Sequence, residues 1–346
     1  MSDNKTNFKI NGQVRMSVSG VKSRKVNNLL EAVGNTPLVK LNRLTVGLKT
    51  TIYVKPEFMN PGGSIKDRMA VYILNKALTE GKIGPRTTIV EATSGNTGVA
   101  VAMFGAVHDY RVILTIPDKM SDEKVNTLRS YGAEVHVCPT AVPADSPESY
   151  YSSAVRLAEE TGDYFLLNQY ENLTNPEAHY HLTAPEIWEQ TGGDIDILVG
   201  GVGTGGTMSG CSKYLKEKNP KLISVAIDPI GSVFADYAAT KKLIEPHPYF
   251  VEGIGEDKNC PTLQYEYIDH FIKVSDKDSF LTARELTAKE GILAGGSSGS
   301  AVWGALKYAR EHDAKQTMVV ILPDSGIKYL SRVFNDDWMR QHGFLD

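Results

Sequence analysis

The chemistry in this sequence starts from one lysine in an awkward place. Lys66 lies in the stretch Asn60–Arg68, at the head of a helical pattern in which Ile65, Met69, Ala70, Ile73, Leu74, Ala77 and Leu78 fall on one face. Ser64 is the expected N-cap, with Asp67 three residues on as the acidic partner of a capping box. The first turn of a helix carries partial positive charge and disfavours a cation. An amine held there has a reason to shed its proton, and a neutral amine is a nucleophile. Taken alone, a surface lysine with a snorkelling stem reads the same way.

Three glycine-rich turns change the weighting. Gly200–Thr207 holds five glycines in eight residues between a strand pattern and a helix pattern. Backbone N–H groups in such a turn, with the helix N-terminus behind them, form an anion site suited to phosphate, and Thr204 and Thr207 add hydroxyl donors. Thr93–Gly98 is a second strand-to-helix turn, opening a helix apolar nearly all round (Val99 to Phe104) and therefore buried. Its polar N-terminus suits a substrate carboxylate. Gly295–Ser300 is a third, again ahead of an apolar helix; its serines can also be plain N-caps.

A nucleophilic lysine, a phosphate cradle and two further anion-friendly turns together fit pyridoxal 5'-phosphate, which brings an aldehyde, a phosphate and a ring nitrogen. A rival reading uses the same glycines. Gly201, Gly203 and Gly206 satisfy G-x-G-x-x-G, and Asp228 follows 22 residues later where a ribose-binding acid would stand. A dinucleotide-binding sensor is thus the alternative of another class, and a scaffold whose basic leader binds a partner is a third. No Walker A lysine motif or H-E-x-x-H occurs.

The elements that must position these groups alternate. Strands are expected at 38–41, 51–54, 88–90, 111–116, 134–137, 165–167, 196–199, 222–227 and 317–322. Helices are expected from Lys66, from Thr93–Gly98 through Ala106, and at 122–131, 150–160, 176–190, 207–217, 277–290 and 298–311, with 231–259 looser. This is a βαβ rhythm and implies mostly parallel sheets. It runs longer than one open sheet comfortably holds, so two α/β domains facing a cleft are expected.

The 346 residues are 41% hydrophobic and 23% charged, with a net charge of -4. No field favours nucleic acid or an anionic membrane, and no apolar run is long enough to span one. Three scattered cysteines lack metal spacing and suit a reducing compartment, so no metal is expected and the cytoplasm is the expected location. The leader carries six basic residues against Asp3 and reads as a flexible tail over 1–25.

In its motifs the sequence resembles the fold-type II pyridoxal-phosphate β-replacement enzymes, the cysteine synthase and cystathionine β-synthase family. The matching pieces are Gly34–Leu38, Asn60–Arg68, Thr93–Gly98, Gly203–Thr207 and Gly295–Ser300, in the family's order. Within the family the chain is more similar to the cystathionine β-synthase branch at Lys119–Lys124, Asp145–Ser149, Gln169–Tyr170, Asn175–His179, Val251–Gly255, Leu322–Ser325, Asp337–Met339 and Gly343–Leu345. Glu186–Thr191 instead reads like a cysteine synthase.

The resemblance implies two three-layer αβα domains of the tryptophan synthase β type, with the cofactor in the cleft between them. It also implies a smaller, mobile domain over 60–172, a larger one from 26–59 plus 173–346, and a homodimer. It gives Lys66 the roles of Schiff-base lysine and α-proton base. Asn96 would bind the ring 3-hydroxyl, Gly203, Thr204, Gly205, Gly206 and Thr207 the phosphate, and Ser297 the pyridine nitrogen. Thr93, Ser94, Thr97 and Gln169 would bind the substrate carboxylate, with Tyr170 and Gly255 also at the substrate. The implied reaction joins L-serine or an activated serine to L-homocysteine through an aminoacrylate, giving cystathionine, and also uses or releases sulfide. The cysteine synthase alternative uses O-acetylserine and sulfide.

Three departures bear on these implications. Residues 1–137 contain no cysteine, so no haem is expected. No regulatory module for an adenosyl ligand, and so no activation by S-adenosylmethionine, is expected. Glu256 and Asp257 continue the Val251–Gly255 motif where related animal enzymes carry a tyrosine, which bears on the choice of second substrate.

Overall fold

The computed structural model describes residues 25–346 other than 94, 119, 140, 143–145 and 161, together with the backbone of 7–10 and 14–17. The flexible-tail expectation thus falls largely outside the described residues. Within that leader, β1 (Asn7–Ile10) and β2 (Val14–Ser17) pair antiparallel.

Two larger sheets carry the architecture. β3 (Val39–Lys40) and β4 (Thr51–Pro56) come first in sequence, followed by β5 (Thr88–Ala92), β6 (Val112–Pro117), β7 (Glu134–Cys138) and β8 (Tyr164–Leu166). The last four form an all-parallel sheet in the order β7-β6-β5-β8. β9 (Ile197–Gly201), β10 (Ile223–Pro229), β11 (His270–Val274) and β12 (Thr317–Leu322) join β3 and β4 in the order β11-β10-β9-β12-β4-β3. Only β3 runs antiparallel in that sheet.

Helices cover both faces of each sheet. α1 (Lys66–Thr79), α2 (Asn96–His108) and α3 (Asp122–Ser130) bury Ile73, Phe104 and Leu128 with Leu114 of β6. α4 (Tyr150–Glu160) packs Ala154 against Val90 and Ile113 on the opposite face. In the larger sheet, Val199, Val225 and Val320 face α9 (Asp276–Glu290) and α10 (Gly296–His312). Their chain neighbours Leu198, Ala226 and Ile321 face α6 (Ala184–Gln190) and α7 (Gly206–Lys218). The strands alternate sides with period two, but both sides are apolar because both are covered. The result is two αβα domains, as the strand–helix rhythm implies.

The differences from expectation are local. The single helix expected at 176–190 is α5 (Thr174–Ala178) and α6 joined by a π turn at His179–Thr183. β11 gave little sequence signal because it is a partly buried edge strand. The looser region contains the short α8 (Phe234–Thr240), and α11 (Asp336–Gln341) closes the described chain. The capping box at Ser64 does not form. The Ser64 hydroxyl accepts the Lys66 N–H at 3.2 Å, but Asp67 turns to the Gly62 N–H at 2.5 Å and braces the turn from within.

Candidate active site

Two of the three glycine-rich turns lie beyond the carboxyl end of a parallel strand, where open α/β sheets bind ligands, whereas Gly295–Ser300 follows α9. Gly203–Thr207 follows β9, Thr93–Gly98 follows β5, and Pro323–Ser325 follows β12. Ile65 N–H donates to Pro323 O at 2.9 Å, and Ser64 bridges to Asp324. Ala294 bridges to Ser325, which brings the head of α10 and Ser297 to the same place. The head of α1 is therefore stitched to the end of the central strand and to the Ser297 turn.

Lys66 is partly accessible, and its Nζ has no hydrogen-bond or ion-pair partner among the described residues. Burial holds its pKa below the ordinary lysine value and the Lys328 charge pushes the same way, while Asp324 and Glu256 oppose them. The direction matches the sequence reading, although desolvation is the largest cause. Glu256 is pushed up to about 7 by burial and by Asp257, against Lys258, Tyr170 and Lys66. It therefore titrates near neutrality within reach of the Lys66 charge.

The cradle needs its glycines. A Cβ on Gly203 would stand 2.7 Å from Gly253 O; one on Gly205, already at φ +81°, would strike Leu263, and one on Gly206 would strike Asn175. Thr204 Oγ1 accepts from Asn175 Nδ2 at 3.0 Å, and Thr204 O accepts from Thr262 Oγ1 at 2.5 Å. The π turn brings His179 under the cradle, with Nδ1 2.9 Å from Thr183 Oγ1 and Nε2 3.2 Å from Thr207 Oγ1. Burial, then Arg68 and Lys66, push His179 down to about 3, so it orients Thr207 as a neutral ring. A π turn at a functional site is a familiar association.

In the second turn, Thr93 Oγ1 accepts the N–H groups of Gly95 and Gly98, both at 3.1 Å. Thr97 Oγ1 donates to Gln169 Oε1 at 2.7 Å, so these two are brought together. Gly255 N–H donates to Val202 O at 2.6 Å, which holds the Glu256 loop against the phosphate cradle. Tyr170 is joined to that loop by Thr262, whose hydroxyl also reaches Tyr170 O at 2.9 Å. Ser297 is buried at the head of α10. Ser94 lies outside the described residues.

Sequence reasoning missed Asp324, Lys328 and Tyr329. Asn96 Nδ2 donates to Asp324 Oδ2 at 2.8 Å, and Lys328 Nζ donates to Asn96 Oδ1 at 2.5 Å. Tyr329 OH donates to the same carboxylate at 2.8 Å. Asp324 Oδ1 and the neighbouring Ser298 Oγ are buried without partners among the described residues. Asp228, the supposed ribose acid, is fully buried and accepts the Ala235 N–H at 2.8 Å. It caps local backbone and faces no cleft.

The residues present fit pyridoxal phosphate: a lysine without a partner, a cradle that side chains would fill, and buried polar atoms left unpaired near the Ser297 end. Comparison with known proteins agrees. Residues 29–324 match the family described as "Pyridoxal-phosphate dependent enzyme". Cystathionine beta-synthase of Apis mellifera is 45% identical over 320 residues, 92% of this chain and 63% of that protein. The chain spans between 57% and 65% of the length of the curated cystathionine β-synthases it matches. The O-acetylserine dependent cystathionine beta-synthase from Helicobacter pylori superposes with a TM-score of 0.82 at 36% identity, covering 89% of this chain and 98% of that one. A hydrogen sulfide-producing enzyme from Fusobacterium nucleatum gives 0.81 at 36% identity, covering 88% and 100%. With the site geometry, these matches mean that the chain belongs to the pyridoxal-phosphate dependent enzyme family.

Proposed function

We propose that this protein is a β-replacement enzyme, a cystathionine β-synthase that joins L-serine or an activated serine to L-homocysteine. The observation that carries the reading is the Lys66 amine, unpartnered and depressed, between Asp324 and Glu256. When bound, pyridoxal phosphate would supply an electron sink for the substrate α-carbon.

The chain's own residues do the rest. Lys66 would hold the cofactor and would be the base for the substrate α-proton; one amine in both roles makes use of proximity. N–H groups of Gly203 to Thr207 hold the phosphate, with Thr207 oriented by His179. Ser297 would meet the ring nitrogen with a hydroxyl rather than an acid, which would leave the ring a weaker sink and favour β-elimination and replacement. Thr93, Ser94, Thr97 and Gln169 take the substrate carboxylate. Glu256, hydrogen-bonded to Tyr170 and acting on the Lys66 charge, is pushed up to about 7 and would be able to give a β-leaving group its proton.

A second reading, O-acetylserine as donor and sulfide as thiol, draws on likeness to the O-acetylserine dependent Helicobacter enzyme for the donor and to a cysteine synthase from Entamoeba histolytica for the thiol. The two are separated by assaying serine and O-acetylserine, each against homocysteine and sulfide. Cystathionine from serine is the expected product. Turnover confined to O-acetylserine plus sulfide would replace the first reading with the second. Three free, buried cysteines suit the reducing cytoplasm, where we place the protein as a homodimer. Among the described residues no helix is long and apolar enough to cross a membrane, and no cluster of metal ligands occurs.

A further inference from the structure

Lys328 has no role in the reading above, yet it reaches two parts of the site at once. Its Nζ donates to Asn96 Oδ1 at 2.5 Å and to Gly63 O at 3.3 Å, in the turn that presents Lys66. Asn96 is gripped from both ends, because Asp324 Oδ2 accepts from its Nδ2 at 2.8 Å. That carboxylate is fixed in turn by the Tyr329 hydroxyl. The charged groups that act on Lys328 are Asp324, Asp67 and Lys124.

A primary amide has one acceptor oxygen and two N–H donors. The ammonium takes the oxygen and the carboxylate takes one N–H, so a single N–H is left. Without the ammonium the amide oxygen loses its partner, the group is held by Asp324 alone, and it can turn to offer its carbonyl. An N–H directed at a phenolic oxygen stabilises the ionised oxygen, whereas a carbonyl there requires that oxygen to keep its proton.

We propose that Lys328, together with Asp324, is a positioning residue that fixes the Asn96 amide so that it offers an N–H to the cofactor's ring oxygen. The inference rests on the reading that Asn96 faces that oxygen.

Absorption spectra test it. The chain loaded with pyridoxal phosphate should show a visible band, from the form with an ionised ring oxygen. Lys328→Met should shift intensity to the near ultraviolet and weaken cofactor retention roughly tenfold or more, the scale of one lost charge-assisted hydrogen bond. Lys328→Arg should restore the visible band. In an Asn96→Ala background, Lys328→Met should add no further spectral change, since the lysine acts through that amide. A Lys328→Met protein with the parent spectrum and retention would overturn the proposal, as would equal effects of Lys328→Met with and without Asn96. A parent chain that binds no cofactor would overturn the underlying reading, which is a different failure from a coloured parent with an indifferent Lys328. Lys328 is only partly buried, so Lys328→Met should fold, and Lys328→Leu, which also lacks a donor, gives the same test if it does not.

Discussion

Two basic residues stand two positions apart at the head of α1, and the helix sends them in opposite directions. At 100° per residue, Lys66 and Arg68 point to nearly opposite faces. Behind the helix, the Arg68 guanidinium is saturated: Nε donates to Glu57 at 2.5 Å, Nη1 to Glu186 at 2.8 Å, and Nη2 to Glu57, Glu186 and Thr36. Lys55 and Gln190 complete that cluster through Thr36 O, and Asn60 ties it to Gly34. In front, Lys66 Nζ has no partner among the described residues, and Asp324 Oδ1 and Asp67 Oδ1 are buried and unpaired. A saturated charge cluster fixes geometry. An unsaturated one keeps free donors and acceptors for something that is not protein. The Gly34–Leu38 motif and Glu186 belong to the first kind, which gives them a structural reason to exist that needs no contact with substrate.

The comparison predicts what each region should do when cut. Lys66→Ala should lower turnover by a factor of roughly 10² to 10⁴, the value of a lost general base, while the melting midpoint of the cofactor-free protein stays level or rises. A large loss of stability instead would place Lys66 with the structural cluster. Arg68→Met should do the reverse, costing roughly 3–5 kcal/mol of stability by stranding the buried Glu57 carboxylate and leaving Glu186 to Lys55 alone, as read from denaturant unfolding. An unchanged midpoint would mean that the cluster is not what anchors α1.

Glu91 in β5 is an intermediate case. It is 1% exposed, accepts N–H groups of Asn168 and Gln169, and burial pushes it up to about 8 from 4.5. The folded state therefore holds the Glu91 proton longer than the unfolded state. This group's contribution to stability is full below about pH 4.5 and falls as pH rises toward about 8, at up to about 1.4 kcal/mol per pH unit. Glu91→Gln should remove that slope, so unfolding curves of the variant should gain on the parent as pH rises from 5 to 8. Parallel curves would show that Glu91 ionises normally. The smallest effect belongs to the surface: the Lys49–Asp313 pair is 61% and 62% exposed, and Lys49→Ala should cost less than about 1 kcal/mol. A larger cost would blur the contrast between buried networks and exposed pairs.

What the sequence made legible follows the same division. Lys66, the Gly203–Thr207 cradle and the Ser297 turn are contiguous stretches whose spacing carries their chemistry, and strand–helix alternation was enough for two α/β domains. The partners that discipline them were not legible. Asn96 and Asp324 are 228 residues apart, Arg68 and Glu186 are 118 apart, and Lys328 and Gly63 are 265 apart. A parallel sheet gathers the carboxyl ends of strands distant in sequence, and no local pattern records which ends meet. Asp67 misled for a related reason. The spacing of a capping box was present, but the buried turn at Gly62 competed for the carboxylate and won.

The central claim is that Lys66, and not another amine of the site, carries the cofactor. Lys328 is the natural control, since burial lowers its pKa as well. The direct measurement is borohydride reduction of the protein loaded with pyridoxal phosphate, followed by proteolysis and mass mapping of the phosphopyridoxyl group. The account predicts that the added mass sits on the peptide containing Lys66. Modification of Lys328 instead, or of no lysine in the cleft, would contradict it.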